Sequence, residues 1–130
     1  LNLMSEREEL NIVDDQIGSP TSAHSLTKIL FKIIENKKAA GIFHWCDGAS
    51  ISWYDFAIEI QRQAIDQGLL VKKIPIRKIS TKSYPTAAKR PAYSVLDCET
   101  TRNEFNVKEV DWRQELNEVI TLIARRVGKL

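Results

Sequence analysis

The most concentrated chemical potential in this chain is positive charge. Residues 67–96 contain no Asp or Glu, yet they hold Lys72, Lys73, Arg77, Lys78, Lys82, Lys89 and Arg90. The whole chain carries a formal net charge of only +2, so the remainder is net negative. Such a block can attract an anion, whether a phosphate, a nucleotide or a nucleic-acid backbone. The alternative is a solvated basic face. Arg90 stands between Lys89 and Pro91, which narrows its backbone freedom, and a guanidinium clasps phosphate through two parallel hydrogen bonds. Read the other way, it is a surface or ion-pair residue. Nucleic acid is the weaker partner, because the block offers only Tyr84 and Tyr93 for base stacking and no nucleic-acid motif.

Other reactive types are sparse. His24, His44, Cys46 and Cys98 are the soft metal-ligand candidates, but their spacing matches no zinc pattern, and structural roles are expected. Neither cysteine is expected at a helix N-terminus or beside a base, so nucleophilic catalysis is not expected of them. Asp14 and Asp15 could act as acid and base; capping their loop by hydrogen bonds to Gln16 or Ser19 is the plainer role. A dinucleotide-binding turn needs closely spaced glycines, and Gly18, Gly41, Gly48, Gly68 and Gly128 are too far apart. No Walker loop is present. A Tyr-x-x-x-Lys pair is missing too, since Ile58, Ala88 and Asp97 stand four residues after Tyr54, Tyr84 and Tyr93.

The elements that must position these groups alternate between strand and helix. Residues 11–14 read as a short strand leading into a polar turn, where Gly18 can take positive φ and Pro20 fixes the backbone of Ser19. A helix is predicted over 22–36, capped by Thr21 or Ser22, with Ala23, Leu26, Ile29, Leu30, Ile33 and Ile34 at helical spacing. Residues 41–46 read as a strand buried on both faces. Ser52-Trp53-Tyr54-Asp55 resembles a capping box, opening a helix that buries Trp53, Phe56, Ala57, Ile60 and Ala64 and stops at Gly68. Residues 72–79, interrupted by Pro75, fit an edge strand, with another short strand over 93–96 and a short helix over 100–105. Asp111 caps a last helix whose Trp112, Leu116, Val119, Ile120, Ile123 and Val127 share a face. Alternation of this kind means α/β packing.

Composition sets the outer limits. At 130 residues, 43% hydrophobic and 28% charged, collagen-like, mucin-like and wholly disordered classes are excluded, and one unit spanning 1–130 is expected. No run is long and apolar enough for a membrane span, and the start lacks signal-peptide order. Two cysteines make no disulfide scaffold and fit a reducing compartment. The chain is therefore read as soluble and cytoplasmic. It begins Leu1-Asn2-Leu3, which suggests part of a longer protein.

Four motifs then fall in order. Asp14-Asp15-Gln16-Ile17-Gly18-Ser19-Pro20-Thr21, Gly41-Ile42-Phe43-His44, Ser52-Trp53-Tyr54-Asp55-Phe56-Ala57 and the stretch over 84–97 that includes Lys89-Arg90-Pro91 resemble, at similar spacing, the C-terminal portion of the dTDP-4-dehydrorhamnose reductase family. These are extended short-chain dehydrogenase/reductases, and the likeness runs over 11–124. The resemblance implies the C-terminal part of a Rossmann-like α/β fold, with short strands flanked by three main helices. It also implies a parent enzyme that reduces dTDP-4-dehydro-L-rhamnose to dTDP-L-rhamnose with NADPH or NADH. The cofactor site and catalytic Thr/Tyr/Lys group of such an enzyme lie in its N-terminal Rossmann half. That half is absent here, so no catalytic residue carries over and the chain alone is expected to be inactive. Residues 42–45 would be the final sheet strand. Arg90, helped by Lys89, is expected to face the diphosphate of the dTDP-sugar, with Gln16 and Thr21 on the cleft wall. An uncovered sheet edge implies a homo-oligomer, with no nucleic-acid or membrane partner. The competing reading is a non-enzymatic regulatory module resembling the methionine adenosyltransferase β subunit.

Overall fold

A computed structural model describes residues 1–129. The elements run α1 (Asn2–Glu6), β1 (Leu10–Val13), β2 (Ile17–Gly18), α2 (Ala23–Glu35), β3 (Ile51–Ser52), α3 (Trp53–Asp66), β4 (Ile76–Ile79), a 3₁₀ turn (Thr81–Ser83), α4 (Glu99–Glu104) and α5 (Trp112–Arg126). The fold is α/β, with α2, α3 and α5 as its main helices. β1 and β4 pair in parallel, from Leu10 opposite Ile76 to Val13 opposite Ile79. Parallel neighbours need a long crossover, and α3 supplies its packing layer by lying on both strands. Beneath it sits the main core: Met4, Leu10, Ala57, Ala64, Leu70 and Ile74. The short antiparallel pair of β2 and β3 places Ile17 opposite Ser52 and Gly18 opposite Ile51. Among the described residues, no helix is long and apolar enough to cross a membrane.

Local chemistry explains where the helices start. Ser22, not Thr21, caps α2, its hydroxyl accepting from the Ser25 amide at 2.9 Å. At α3 the Ser52 hydroxyl accepts from the Asp55 amide at 3.0 Å and the Asp55 carboxylate accepts from the Ser52 amide at 3.2 Å. This is a reciprocal capping box with Asp in the usual Glu position. Asp111 caps α5 through the Arg113 amide at 2.9 Å. Gly68 just beyond α3 has φ +71°, the left-handed stop expected of a glycine. Ser52→Ala removes one acceptor from a buried cap and is expected to cost about 1 kcal/mol in a urea titration.

Several expectations need correction. Residues 41–46 form no strand. A strand exists only when a neighbouring backbone takes up its amides and carbonyls, and no described backbone does so here. Its two sides also differ: Trp45 is buried while Ile42 is 85% exposed. The strand expected over 93–96 reduces to one parallel bridge between Tyr93 and Ile17. Gly18 lies in β2 rather than at positive φ; a side chain there would crowd the Ser94 hydroxyl at 3.1 Å. Trp53 is exposed, not core. On α5 the covered row is Trp112, Ile120 and Ala124, with Leu116 half-buried, whereas Val119, Ile123 and Val127 face solvent. Leu26, Leu30 and Ile34 of α2 are exposed as well. Two sheets of two strands each are too small to cover the apolar faces of three helices.

Candidate functional site

The basic segment divides into two parts once the strands are in register. Lys72 pairs with Glu8 at 2.9 Å, Arg77 with Glu9 at 2.9 Å, and Lys78 with Asp14 at 3.2 Å. The Asp14 contact raises the Lys78 pKa, and the ammonium also lies 4.7 Å from the centre of the Tyr54 ring. These cations on and near β4 are matched by carboxylates on and near β1. Lys82, Lys89 and Arg90, beyond β4, have no carboxylate partner within 4.0 Å among the described residues. Lys73, just before β4, is also without such a partner, so three of the four unmatched cations lie beyond β4, on the looped segment that follows it.

That loop has a fixed base. At its start, the Asp15 carboxylate accepts from the Thr81 amide at 2.8 Å and the Thr81 hydroxyl at 2.6 Å. The Thr81 hydroxyl, more than the opposing effect of burial, holds the Asp15 carboxyl below its ordinary pKa. Gln16 Nε2 donates to the same hydroxyl at 3.0 Å. At its end, the Ile17 amide donates to the Ala92 carbonyl at 2.8 Å and the Ser94 amide to the Ile17 carbonyl at 2.9 Å. Both ends are thus tied to one turn, the geometry of an Ω-loop. Residues 82–94 between the ties are all exposed. Arg90 and Lys89 project from this loop just before its closing tie, and Gln16 sits at its base. The structure therefore brings these three to one region.

Thr21 is placed differently. It is exposed and adjoins the α2 cap, where Asp47 receives the Ser22 amide at 2.8 Å and the Ser25 hydroxyl. Asp14 and Asp15 are not an acid–base pair, since each is committed to a partner of its own. Their partners are Lys78 and Thr81, rather than the expected Gln16 or Ser19.

Two further clusters were not legible in the chain. His24 Nδ1 lies 3.4 Å from Glu115 and 3.3 Å from Glu118. One ligand atom from each lies within 4.8 Å of the others, so the three could share a cation. The buried Glu115 is also engaged by the Ser22 hydroxyl at 2.5 Å and by Lys28 at 3.9 Å. Cys46 and Cys98 bring their sulfurs to 3.5 Å, on the wall of an open cleft of about 240 Å³ that also holds Asp47, Gly48, Arg102 and Glu109. Cys98 does stand at a helix N-terminus, as the cap residue of α4, contrary to expectation. Burial first, and then its contact with Cys46, push its thiol pKa up to about 11. No local signal predicts either cluster, because their members are far apart in sequence.

A family described as the RmlD substrate binding domain matches residues 1–125. The dTDP-4-dehydrorhamnose reductase of Aggregatibacter actinomycetemcomitans is 36% identical over 124 residues, which is 92% of this chain and 42% of that protein. A crystal structure of the Bacillus anthracis dTDP-4-dehydrorhamnose reductase in complex with NADP superposes with a TM-score of 0.81 at 31% identity, covering 93% of this chain and 40% of that one. The Clostridium acetobutylicum enzyme also gives a TM-score of 0.81, at 36% identity and with 94% and 41% covered. The chain thus spans about two fifths of the length of these relatives.

Proposed function

Because this chain belongs to the RmlD substrate binding domain family, we propose that it forms the sugar-nucleotide side of a dTDP-4-dehydrorhamnose reductase. In this reading the complete enzyme reduces dTDP-4-dehydro-L-rhamnose to dTDP-L-rhamnose with NADPH or NADH. The observation that carries it is the loop tied at both ends to the turn after β1, with unpaired Lys89 and Arg90 held in solvent. A diphosphate needs two things from a protein: concentrated positive charge and a donor array of fixed direction. The loop supplies the charge, and its clamped base supplies the direction. Arg90 is the bidentate donor, Lys89 a second cation, and Gln16 contributes polar wall at the loop's base. The names of the relatives favour this over a regulatory module.

The residues present do not suit a dinucleotide. α2, α3 and α5 open on the side-chain caps Ser22, Ser52 and Asp111, where a pyrophosphate site requires bare backbone on a glycine turn. We therefore assign the nicotinamide cofactor and the reacting groups to the part of the relatives that this chain does not span. Residues 1–130 act as one substrate-side unit, silent in NADPH oxidation alone. A nucleotide-sugar ligand and two free thiols suit the cytoplasm. The exposed apolar rows of α2 and α5 support self-association.

Calorimetric titration with dTDP-L-rhamnose tests the assignment. Arg90→Ala in the complete reductase is expected to weaken binding about 10- to 100-fold, the worth of a charge-assisted bidentate contact. Arg90→Lys should fall between, because an ammonium keeps the charge and loses the fork. Unchanged affinity in Arg90→Ala would remove the residue from the site.

A further inference from the structure

Cys46 and Cys98 lie in two segments that already grip each other without the sulfurs. The Thr101 hydroxyl of α4 donates to the His44 carbonyl at 2.6 Å. Cys46 is bracketed by Trp45 and Asp47, both buried. Asp47 is fixed by the α2 cap and Trp45 by its indole, which donates to the Ser25 hydroxyl at 3.4 Å. Cys98 occupies the N-cap position of α4 and is 2% exposed. Each sulfur also lies 3.7 Å from the Leu96 carbonyl. We propose that Cys46 and Cys98 form a reversible thiol–disulfide modification site, in which Cys46 meets the oxidant and Cys98 resolves it into an internal bond.

The geometry requires little to change. A disulfide sets its sulfurs about 2.05 Å apart, so the pair at 3.5 Å has a short approach to make, within reach of side-chain torsions. The backbone has no search to perform, because the His44–Thr101 hydrogen bond keeps the two segments together. Exposure assigns the roles. Both residues line the cleft, but Cys46 is half-buried and Cys98 only 2% exposed, so a dissolved oxidant meets Cys46 first.

The oxidant is a low-molecular-weight disulfide of the glutathione class. The Cys46 thiolate attacks one of its sulfurs, making a mixed disulfide and expelling one small thiolate. The Cys98 thiol, which burial keeps protonated, gives up its proton as it attacks Cys46 Sγ, closing the protein bond in the slower step and expelling the second small thiolate. Two protein thiols are oxidised, one small disulfide is reduced, and the two protons pass to the released thiolates. The closed bond would fix the Cys46 side of the cleft to α4. It would also close a loop between residues 52 apart, restricting the unfolded chain.

Excess glutathione disulfide on the purified chain is the test. Intact mass should fall by two hydrogens, both thiols should stop reacting with iodoacetamide, and dithiothreitol should reverse both changes. Tm should rise by roughly 10 °C, the scale set by a loop of that length in a domain of this size. Cys98→Ser should halt at one glutathione per chain, and Cys46→Ser should take up far less in the same time. Two alkylatable thiols remaining in the wild type, a glutathione adduct that never closes, or bonds only between chains would each overturn the proposal. The wild-type product alone decides this even if Cys98→Ser does not fold.

Discussion

Asp47→Ala is expected to destabilise the fold by about 3 kcal/mol, lowering Tm by roughly 10 °C with an unchanged urea m-value. Asp47 is 1% exposed, and its carboxylate receives the Ser22 amide at 2.8 Å and the Ser25 hydroxyl. Both donors belong to the start of α2, where helix geometry leaves amides without internal partners. The Ser22 hydroxyl satisfies the Ser25 amide at 2.9 Å, so Asp47 satisfies what the cap itself cannot. Truncation removes two charge-assisted bonds, each worth about 1.5–3 kcal/mol, although the Ser25 hydroxyl keeps the Ser22 carbonyl as an acceptor at 3.2 Å. The favourable end of the helix dipole loses a negative charge as well, although Glu115 keeps one nearby through the Ser22 hydroxyl at 2.5 Å. Asp47→Asn keeps an acceptor oxygen and should lose less, about 1–2 kcal/mol. A loss below 1 kcal/mol for the alanine variant would mean that solvent reaches these donors and that α2 is anchored some other way.

That position marks the boundary of what sequence reasoning can reach. Ser22, Ser52 and Asp111 are readable as caps because capping acts over two or three residues. β1, β4 and the three main helices follow from periodicity for the same reason. Asp47 reads only as half of an Asp-Gly turn, since its partners lie 22 and 25 residues away. The strand expected over residues 41–46 failed because composition shows what a segment could bury, not whether a neighbour is present to pair with it. The charged block shows the same limit. Its cations look alike in the sequence, and only the register of β1 against β4 shows that Glu8, Glu9 and Asp14 match Lys72, Arg77 and Lys78, leaving Lys73 before β4 and Lys82, Lys89 and Arg90 after it unmatched. The motifs in order identify the family without that register. The geometry gathers most of the unmatched charge on one loop.

Ile120→Ala is expected to cost about 3–4 kcal/mol, whereas Ile123→Ala, three residues on, should cost less than about 1 kcal/mol. Both are isoleucines on α5 and both satisfy its apolar periodicity. Ile120 is 1% exposed and belongs to the row of Trp112 and Ala124, while Ile123 is 37% exposed beside Val119 and Val127. The edge of the Trp112 ring meets Phe56 of α3 at 5.9 Å, and the Arg113 carbonyl receives Gln63 at 3.0 Å, so the covered row is the seam between α5 and α3. Deleting Ile120 opens a cavity behind that seam, with both the transfer loss and the void counting against the fold. Deleting part of Ile123 removes atoms that are more than a third exposed at the rim, so less transfer energy is lost and no enclosed void is left. Paired urea titrations at two protein concentrations check the contrast. If Ile123→Ala costs as much as Ile120→Ala and the cost grows with concentration, the outer row is covered by a second copy in solution. If the two costs are equal and independent of concentration, the assignment of the α5 faces is wrong.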